Sequence, residues 1–378
     1  MVAGEVSGDL LGARLLSALR PALPQAQLYG IGGPKMAEYG FESGWPMEKM
    51  MVRGLFEIIP RYRELKRIQS ALRDRIIAER PAVMIGVDYP GFNLGLEEQV
   101  RAAGIPTMHF IGPQIWAWRG WRIKKIIRAV SHMLVIFPFE EEIYRAAGVP
   151  ATYVGHPLAE VIPMQADARA ARAQLGLPLE GPVVAILPGS RMSELKYNSA
   201  AFIGAAAILA QRDPGMRFVA PMAGPNQRAY FAAAIDAAGQ GGLPIQLVDG
   251  QSHAAMAAAD AVLVASGTAS LEVALFKKPM VIAYKMLAAS WHIMRHMGYQ
   301  PWIGLPNILA REFVVPELLQ NAATPQALAD ALWRQMQDGA HKERLHERFT
   351  AMHHSLLRNT AQESAQAVLA MMERKGNT

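Results

Sequence analysis

The 378-residue chain contains no cysteine. Disulfides, thiolate metal sites and a cysteine nucleophile are therefore excluded, and the composition is typical of a protein from a reducing compartment. The amino terminus lacks both the basic and the apolar segments of a secretory signal, and no stretch of apolar residues is long enough to span a bilayer. We therefore expect a cytoplasmic protein without a membrane span.

Low-complexity tracts and internal repeats are also missing, which excludes solenoids and disordered chains. Hydrophobic residues make up 51% of the 378 positions, enough for two cores rather than one. The formal net charge of +6 and the pI near 9.5 favour an anionic partner. That partner could be a nucleotide, a phospholipid surface or a nucleic acid.

Short apolar runs alternate with helical stretches in both halves of the chain. Such alternation indicates βαβ units, so we predict an α/β protein with two Rossmann-like, doubly wound parallel-sheet domains that face a central cleft. The proline-rich segment 157–182 is the expected hinge. The predicted domains are 1–160, 161–344 and a C-terminal helix, 345–378, that packs back on the first domain.

The predicted strands are short and mostly apolar. Only residues 1–3 precede the first turn, so we expect a short edge strand or a frayed strand there. The other predicted strands are 27–30, 82–87, 106–111 and 133–137 in the first half, and 183–187, 217–221, 245–248, 261–265 and 280–284 in the second.

Segment 3–9, Ala-Gly-Glu-Val-Ser-Gly-Asp, connects the first strand to a helix. Small residues let a ligand approach backbone amides, and a helix amino terminus favours negative charge. Glu5, Ser7 and Asp9 are therefore candidate residues of a ligand cleft, where they could contact an acceptor substrate. The two acids disfavour a phosphate at this place. The alternative is a βα turn capped by Ser7 or Asp9.

Asp88 ends an apolar strand directly before a Pro-Gly turn. Partial burial at the carboxyl edge of a sheet would raise the pKa of this acid, which could then act as a general base toward a hydroxyl. The alternative is an Asx turn. Asn93, in the same segment, is a further candidate for the acceptor side, and Glu5 and Asp9 are the alternative bases.

Two loops of the second half each follow an apolar strand and lead into a helix. In the first loop, Arg191 would project from the carboxyl edge of the sheet, where a guanidinium can bind a diphosphate through two hydrogen bonds. In the second, the helix amino terminus suits a diphosphate and Glu272 suits ribose hydroxyls. The alternatives are a surface arginine and an ordinary first-turn glutamate. The residues of these loops that we predict to bind a nucleotide diphosphate are Gly189, Ser190, Arg191, Ser266, Gly267, Thr268, Ala269 and Glu272.

Segment 116–128 combines three tryptophans with five cations and contains no acid. This composition is typical of interfacial membrane segments and of platforms for single-stranded nucleic acid. Segment 45–80 is a second candidate surface, and its alternative is a core hairpin followed by a solvated helix. The predicted membrane residues are Trp45, Trp116, Trp118, Arg119, Trp121, Arg122, Lys124 and Lys125.

Metal-binding motifs are not apparent. The histidines form no HExxH motif, and no Asp-x-Asp motif is present to hold a metal at a nucleotide sugar, so we expect neither a metal nor another cofactor. No strand is followed by GxGxxG with an acid further on, which disfavours redox chemistry with a dinucleotide. We interpret His156, between Gly155 and Pro157, as a structural residue of the domain junction.

Seven segments in chain order resemble the signature series of lipid-A-disaccharide synthases. They are 3–9, 87–93, 116–119, 155–157, 187–191, 266–272 and 305–307, and they span nearly the whole chain. The resemblance implies a glycosyltransferase of the two-lobed GT-B type, in agreement with the predicted fold. It also implies that Asn307 holds the donor together with Glu272. Departures from the family pattern at Tyr89, Gly91 and Gly112 concern the acceptor side.

The same resemblance implies that UDP-2,3-diacylglucosamine donates its sugar to 2,3-diacylglucosamine 1-phosphate. A β-1,6-linked disaccharide phosphate and UDP would form with inversion and without a metal. Asp88 would accept the proton of the acceptor's 6-hydroxyl, while Arg191 and the helix beginning at Thr268 would stabilise charge on the diphosphate. The implied partner surface is the anionic inner face of the inner membrane, not a nucleic acid. A homodimer is a further possibility that the sequence does not decide.

Two other functions fit the same motifs. Another UDP-sugar enzyme of this fold, a 2-epimerase or a peptidoglycan glycosyltransferase, shares the features of the donor lobe. A non-catalytic membrane module would bind a nucleotide sugar without turnover.

Overall fold

The computed structural model describes residues 1–50, 55–117, 120–287, 291 and 300–376, and for 55–60, 375 and 376 the backbone alone. Trp118 and Arg119, two of the predicted membrane residues, lie outside the described residues. The chain divides into two compact units. The first comprises Met1–Glu160 and Ser355–Thr378, and the second comprises Val161–His354.

The first unit contains a seven-stranded sheet in the order β3-β2-β1-β4-β5-β6-β7. Every neighbouring pair is parallel. This is the order of a Rossmann sheet with one additional strand. The strands are β1 (Val2–Ala3), β2 (Leu28–Ile31), β3 (Phe41–Trp45), β4 (Met84–Val87), β5 (Thr107–Phe110), β6 (His132–Val135) and β7 (Ala151–Tyr153).

Helices connect the parallel strands of the first unit, several of them starting with proline, whose fixed φ suits the first helical position. The C-terminal helix packs against the first helix, and its Ala365 and Val368 join the core around Leu15 and Leu16. The helices are Val6–Leu19, Pro34–Ala37, Leu55–Glu79, Pro90–Ala102, Ile123–Ala129, Pro138–Ala146, Pro157–Val161 and Thr360–Gly376, with 3-10 turns at Met47–Lys49 and Gly120–Arg122.

The second unit contains a six-stranded sheet in the order β10-β9-β8-β11-β12-β13. All pairs are again parallel. The strands are β8 (Val183–Leu187), β9 (Arg217–Met222), β10 (Ile245–Asp249), β11 (Ala261–Ala265), β12 (Met280–Tyr284) and β13 (Glu317–Leu319).

The core of the second unit lies where the helices Met192–Arg212 and Pro325–Gln337 pack on each other, with Phe202, Phe218 and Leu332 fully buried. Side-chain caps fix two helix starts, because Asp167 accepts from the Ala170 amide and Thr324 from the Ala327 amide. The helices are Ala168–Leu175, Met192–Arg212, Pro225–Ala237, Ser252–Ala258, Thr268–Leu275, Leu305–Ala310, Pro325–Gln337 and Gly339–Leu356, with a 3-10 turn at Gln320–Ala322.

The predicted fold class, two doubly wound parallel α/β sheets, is confirmed. β1 is short as expected, but it pairs with both β2 and β4 and is not an edge strand. The C-terminal stretch is not one helix, since a break at 357–359 separates Gly339–Leu356 from Thr360–Gly376. Glu160 accepts a hydrogen bond from the Thr360 amide and so fixes the start of the last helix. None of the helices in the described residues is long and apolar enough to cross a membrane.

Candidate active site

The first sheet reverses its strand order between β1 and β4. Open α/β sheets bind ligands at such a switch point, outside the carboxyl ends of the strands. Ala3 of β1 lies beside Val87 of β4 in the strand register. The loops that begin with Gly4 and Asp88 are therefore neighbours at this edge.

Asp88 adopts an unusual backbone conformation, with φ of +48°, and Tyr89 follows with φ of +49°. Aspartate tolerates this left-handed region, but the tyrosine stores strain of about 1 kcal/mol. The Asp88 amide donates to the Phe110 carbonyl at 2.7 Å, which anchors the loop to β5. The helix that follows has no side-chain cap. The backbone of Asp88 is therefore held at the switch point by its hydrogen bond to β5.

The carboxyl group of Asp88 lies in a partly buried environment. Burial raises its pKa, and the Tyr89 amide and the charge of His109 lower it in part. A carboxylate with a raised pKa at a switch point can serve as a general base.

Tyr89 packs over Gly4 at the end of β1. A Cβ atom on Gly4 would lie 2.7 Å from Cδ1 of Tyr89, so this position needs a glycine. The tyrosine hydroxyl donates to the Met50 carbonyl at 3.0 Å. Burial and the nearby charge of Glu5 raise the pKa of Tyr89. Glu5 therefore lies close to the Asp88 loop, and both Glu5 and Ser7 are exposed.

Asp9 has a structural role that replaces its predicted place among the acceptor residues. It is buried, and its two oxygens accept hydrogen bonds from the amides of Gly33, Lys35 and Met36 at 2.9–3.0 Å. These amides belong to the start of a short helix, which the carboxylate caps. The same contacts account for Asp9 without a role as an alternative base.

Asn93 is also buried, and its amide nitrogen ties two strand ends together. It donates to the Val2 carbonyl at 3.2 Å and to the Asp88 carbonyl at 2.7 Å. Asn93 therefore supports the loop that carries Asp88, and its predicted place on the acceptor side stays a prediction.

Sequence reasoning missed a buried ion pair beneath Asp88. His109 Nδ1 lies 2.7 Å from Glu97 Oε1, and both side chains are fully buried. A histidine inside the apolar strand 106–111 and a glutamate one helical turn after Asn93 are the signals that could have indicated it.

The loop after β8 presents Arg191 to solvent, with 80% of its side chain exposed. The amides of Ser190 and Arg191 both donate to Glu194 Oε2, at 2.9 and 3.1 Å. Gly189 has φ of +125°, and a Cβ atom there would lie 2.4 Å from Cβ of Glu194. Glu194 thus occupies the amides of this turn. The Arg191 guanidinium makes only a long contact with Glu194 Oε1, at 3.5 Å, and remains accessible to an anion.

In the loop after β8 the side chain of Glu194 occupies the backbone amides, whereas the space that a Cβ atom on Gly267 would enter, in the loop after β11, is open. Gly267 has φ of +135°, and no atom lies within 4 Å of its Cβ direction. Gly267 and Thr268 are exposed, whereas Ser266 and Ala269 are half-buried. Glu272 lies one turn along the helix, 3.2 Å from His253 Nε2. The exposed amino terminus of this helix can accept an anion.

Asn307 has a structural role in place of the predicted donor contact. It is completely buried, and its nitrogen donates to the Val315 carbonyl and to Glu317 Oε1. Its oxygen accepts from the amides of Val314 and Val315. These four bonds use the hydrogen-bonding capacity of the side chain and fix the turn before β13.

Trp116 belongs to the core, which corrects its assignment to a membrane surface. Only 5% of it is exposed, and its indole nitrogen donates to Glu140 Oε1 at 3.0 Å. The ring packs edge-on against Phe137 and Phe139. Trp45 is half-buried against the core of the first unit.

The predicted membrane residues between 121 and 125 lie at or near the surface. Trp121 is 64% exposed, and the Arg122 guanidinium lies 5.8 Å from its ring centre. Lys124 is exposed and Lys125 half-buried on the helix that follows. Ile127, 42% exposed, adds a further apolar side chain.

Comparison with known proteins decides the family. A profile described as lipid-A-disaccharide synthetase matches residues 1–371. A lipid-A-disaccharide synthase of Burkholderia lata is 54% identical over 378 residues, covering 100% of this chain and 97% of the relative. The chain belongs to the lipid-A-disaccharide synthase family. It is therefore a glycosyltransferase that forms the lipid A disaccharide.

Comparison with solved structures shows that this chain has the GT-B fold. A calicheamicin glycosyltransferase aligns with a TM-score of 0.60 at 14% identity, covering 99% of this chain and 97% of that one. A UDP-GlcNAc 2-epimerase from Neisseria meningitidis bound to UDP-GlcNAc aligns with a TM-score of 0.58 at 11% identity, covering 97% of each chain. At these identities the likeness shows the fold alone.

Proposed function

We propose that the enzyme transfers the sugar of UDP-2,3-diacylglucosamine to the 6-hydroxyl of 2,3-diacylglucosamine 1-phosphate, with Asp88 as the general base. The observation that carries this proposal is the placement of Asp88. It directly follows the central strand β4 at the switch point, in a left-handed conformation, and burial raises its pKa.

The reaction is a single displacement at C1 of the donor sugar. The Asp88 carboxylate accepts the proton of the 6-hydroxyl as that oxygen forms the bond to C1. The bond between C1 and the β-phosphate oxygen breaks, and UDP leaves with the electron pair. One carboxylate therefore suffices, and the anomeric centre is inverted.

The second unit holds the donor nucleotide in this proposal. Arg191 is exposed and can bind the diphosphate through its planar fork of donors. The exposed helix start at Gly267 and Thr268 adds backbone amides directed at the same charge. The UDP-GlcNAc bound to the fold relative from Neisseria meningitidis supports a nucleotide sugar as the ligand. Donors of this kind stabilise a leaving diphosphate by roughly 3–4 kcal/mol each when well placed.

Glu272 completes the donor site by accepting hydrogen bonds from ribose hydroxyls. Its side chain is mostly buried, and His253 at 3.2 Å fixes its orientation. Ser190 and Gly189 shape the turn that carries Arg191, because their backbone is fixed by Glu194.

The acceptor side of the proposal lies at the first sheet. Glu5 and Ser7 are exposed beside the Asp88 loop, where they can contact acceptor hydroxyls. Trp121, Ile127 and Lys124 form an exposed apolar and cationic surface on the same unit. We assign this surface to contact with the anionic inner face of the inner membrane, as a peripheral attachment.

The direct test incubates the purified protein with UDP-2,3-diacylglucosamine and the lipid monosaccharide phosphate. We expect a disaccharide phosphate by mass spectrometry and one UDP for each disaccharide. UDP binding without a disaccharide would favour the non-catalytic module, and release of UDP without acceptor would contradict the single displacement.

A further inference from the structure

A buried ion pair lies beneath the proposed base. Glu97, on the helix Pro90–Ala102, and His109, on β5, are both 0% exposed, with Nδ1 and Oε1 2.7 Å apart. Gly86 on β4 makes room for the pair, because a Cβ atom there would lie 2.1 Å from Glu97 Oε1. A buried ion pair is costly to desolvate and contributes little stability by itself, so another role is expected for it.

Hydrogen bonding around the pair is incomplete. Glu97 Oε2, His109 Nε2 and Asn93 Oδ1 are buried, and none of them has a partner among the residues that the structure describes. Each unpaired buried polar atom has lost its hydrogen bonds to water without replacement, which lowers the stability of the fold. Three such atoms in one cluster next to a strained loop mark a site that is not optimised for stability.

The cluster is coupled to Asp88 by backbone and by charge. Asn93 donates to the Asp88 carbonyl at 2.7 Å, and the Asp88 amide donates to the Phe110 carbonyl, one residue after His109. Burial alone lowers the pKa of His109, but the neighbouring carboxylate of Glu97, together with the charge of Asp88, raises it above its ordinary value. The charge of His109 in turn lowers the pKa of Asp88.

Charged side chains on the neighbouring helix and loop face His109 of the Glu97–His109 pair. Glu97 faces His109 from the helix, and Asp88 faces it from the loop after β4. Glu5, in the loop after β1, acts on Tyr89, the residue after Asp88. Within the described residues, His109 is therefore the cation that acts on Asp88.

We propose that His109, oriented by its 2.7 Å contact with Glu97, is a positioning residue that stabilises the ionised carboxylate of Asp88. Burial favours the neutral acid, which cannot accept a proton, and the imidazolium opposes this effect. Asn93 fixes the carbonyl of Asp88, so the helix that carries Glu97 also holds the base in place. The inference rests on Asp88 being the base.

The test is the pH dependence of kcat/KM for the Glu97→Gln and His109→Gln variants of the full chain. Activity requires ionised Asp88 and falls as the pH drops through its pKa. Removing the cation, or the partner that keeps it protonated, raises that pKa. We therefore expect the acid limb to move to higher pH by about one unit in both variants. The rate on the high-pH plateau should return to within about threefold of wild type, since the base itself is retained.

His132→Gln is the matched control. His132 lies on the neighbouring strand β6, is half-buried, and bonds to Thr152 Oγ1 at 2.8 Å. Its removal should leave the acid limb in place. A purely structural pair would instead lower the rate at every pH without moving the limb, and that result would overturn the proposal.

A measurement on the wild-type protein covers the case in which the variants do not fold. The ring of His109, followed by NMR in the full chain, should titrate with a midpoint above the ordinary value of about 6.5. A midpoint below that value overturns the proposal. Failure of the proposed function is distinguishable, because Asp88→Asn would then stay active whatever the behaviour of His109.

Discussion

The two sheets share a strand order, apart from one additional strand in the first. The side chains at their carboxyl edges, however, differ in chemical type. At the first edge, Asp88 lies partly buried above the Glu97–His109 pair. At the second, Arg191 is 80% exposed, and the helix start at Gly267 is open. The topology supplies a crevice in both units, and the residues decide that one suits a proton acceptor and the other an anion.

A buried asparagine on a crossover helix ties loops together in both units. Asn93 joins the ends of β1 and β4, and Asn198 joins the loops after β8 and β12 through Pro188 and Lys285. Both polar atoms of Asn198 have partners, whereas Asn93 Oδ1 has none among the described residues. Unpaired atoms thus occur at the edge to which we assign proton transfer.

Asp88→Asn gives the largest expected effect. The amide cannot accept the proton, so the rate should fall by roughly 100- to 10,000-fold. UDP affinity and the melting temperature should stay close to wild type, because the donor is assigned to the other unit. Steady-state kinetics, UDP titration and thermal unfolding measure the three quantities.

Asp9→Asn is the control for that change. The substitution replaces a carboxylate oxygen that accepts hydrogen bonds from backbone amides. The free energy of unfolding should therefore fall by about 1–3 kcal/mol, while the folded enzyme keeps its rate. If Asp88→Asn kept more than about a tenth of the wild-type rate, the base would have to be Glu5.

Arg191→Ala tests the anion-binding edge. Loss of a hydrogen-bonded charge should weaken UDP binding by roughly 10- to 100-fold. Arg191→Lys should recover part of the affinity, because it keeps the charge but loses the two-pronged geometry. Calorimetry with UDP measures both variants. Equal affinities for the two variants and the wild type would remove Arg191 from the donor site.

Substitutions at Glu272 and Asn307 distinguish a residue that contacts the ligand from a residue that stabilises the second unit. Asn307→Ala leaves several buried partners unpaired and should lower the free energy of unfolding by about 1–3 kcal/mol. Glu272→Gln keeps the shape and loses the charge, so UDP affinity should fall by roughly tenfold at most, with stability unchanged. Chemical unfolding and UDP titration distinguish the two, and a reversed pattern would return Asn307 to the donor site.

The membrane contact is expected to give the smallest effect per residue. Lys124→Gln should weaken binding to anionic vesicles about fivefold, and high salt should weaken the wild type in the same way. Trp121→Ser should also reduce sedimentation with vesicles. Trp116→Phe should instead lower stability, because its indole bonds to buried Glu140. Wild-type protein that stays in the supernatant at low salt would contradict the assignment.

The central strands and the edge strand β10 could be predicted from the sequence, but the edge strands β3, β7 and β13 could not. β4, β8 and β11 are buried along their whole length and therefore read as continuous apolar runs. β3 and β13 are exposed or half-buried along most of their length and carry polar residues, so no continuous apolar run indicates them. The short β1 was expected, but its central place depends on pairing with residues far along the chain.

The candidate site divides in the same way. Asp88 and Arg191 were recognisable because each follows an apolar strand and precedes a helix, a position that open sheets expose to ligands. Trp116 and Asn307 were misplaced, because the composition of a segment does not say which side chain turns inward. His109 was missed because its partner, Glu97, is twelve residues away on another element.

The sequence by itself determined the two-sheet architecture, the family and the position of the acid and the arginine at strand ends. These follow from local periodicity and from residues adjacent in the chain. Tertiary structure alone decided which polar residues are buried and satisfied. Asp9 and Asn307 are fixed by amides of other segments, and Asp88 is influenced by the charge on β5. Burial and electrostatic coupling depend on distances between elements, which are set when the chain packs.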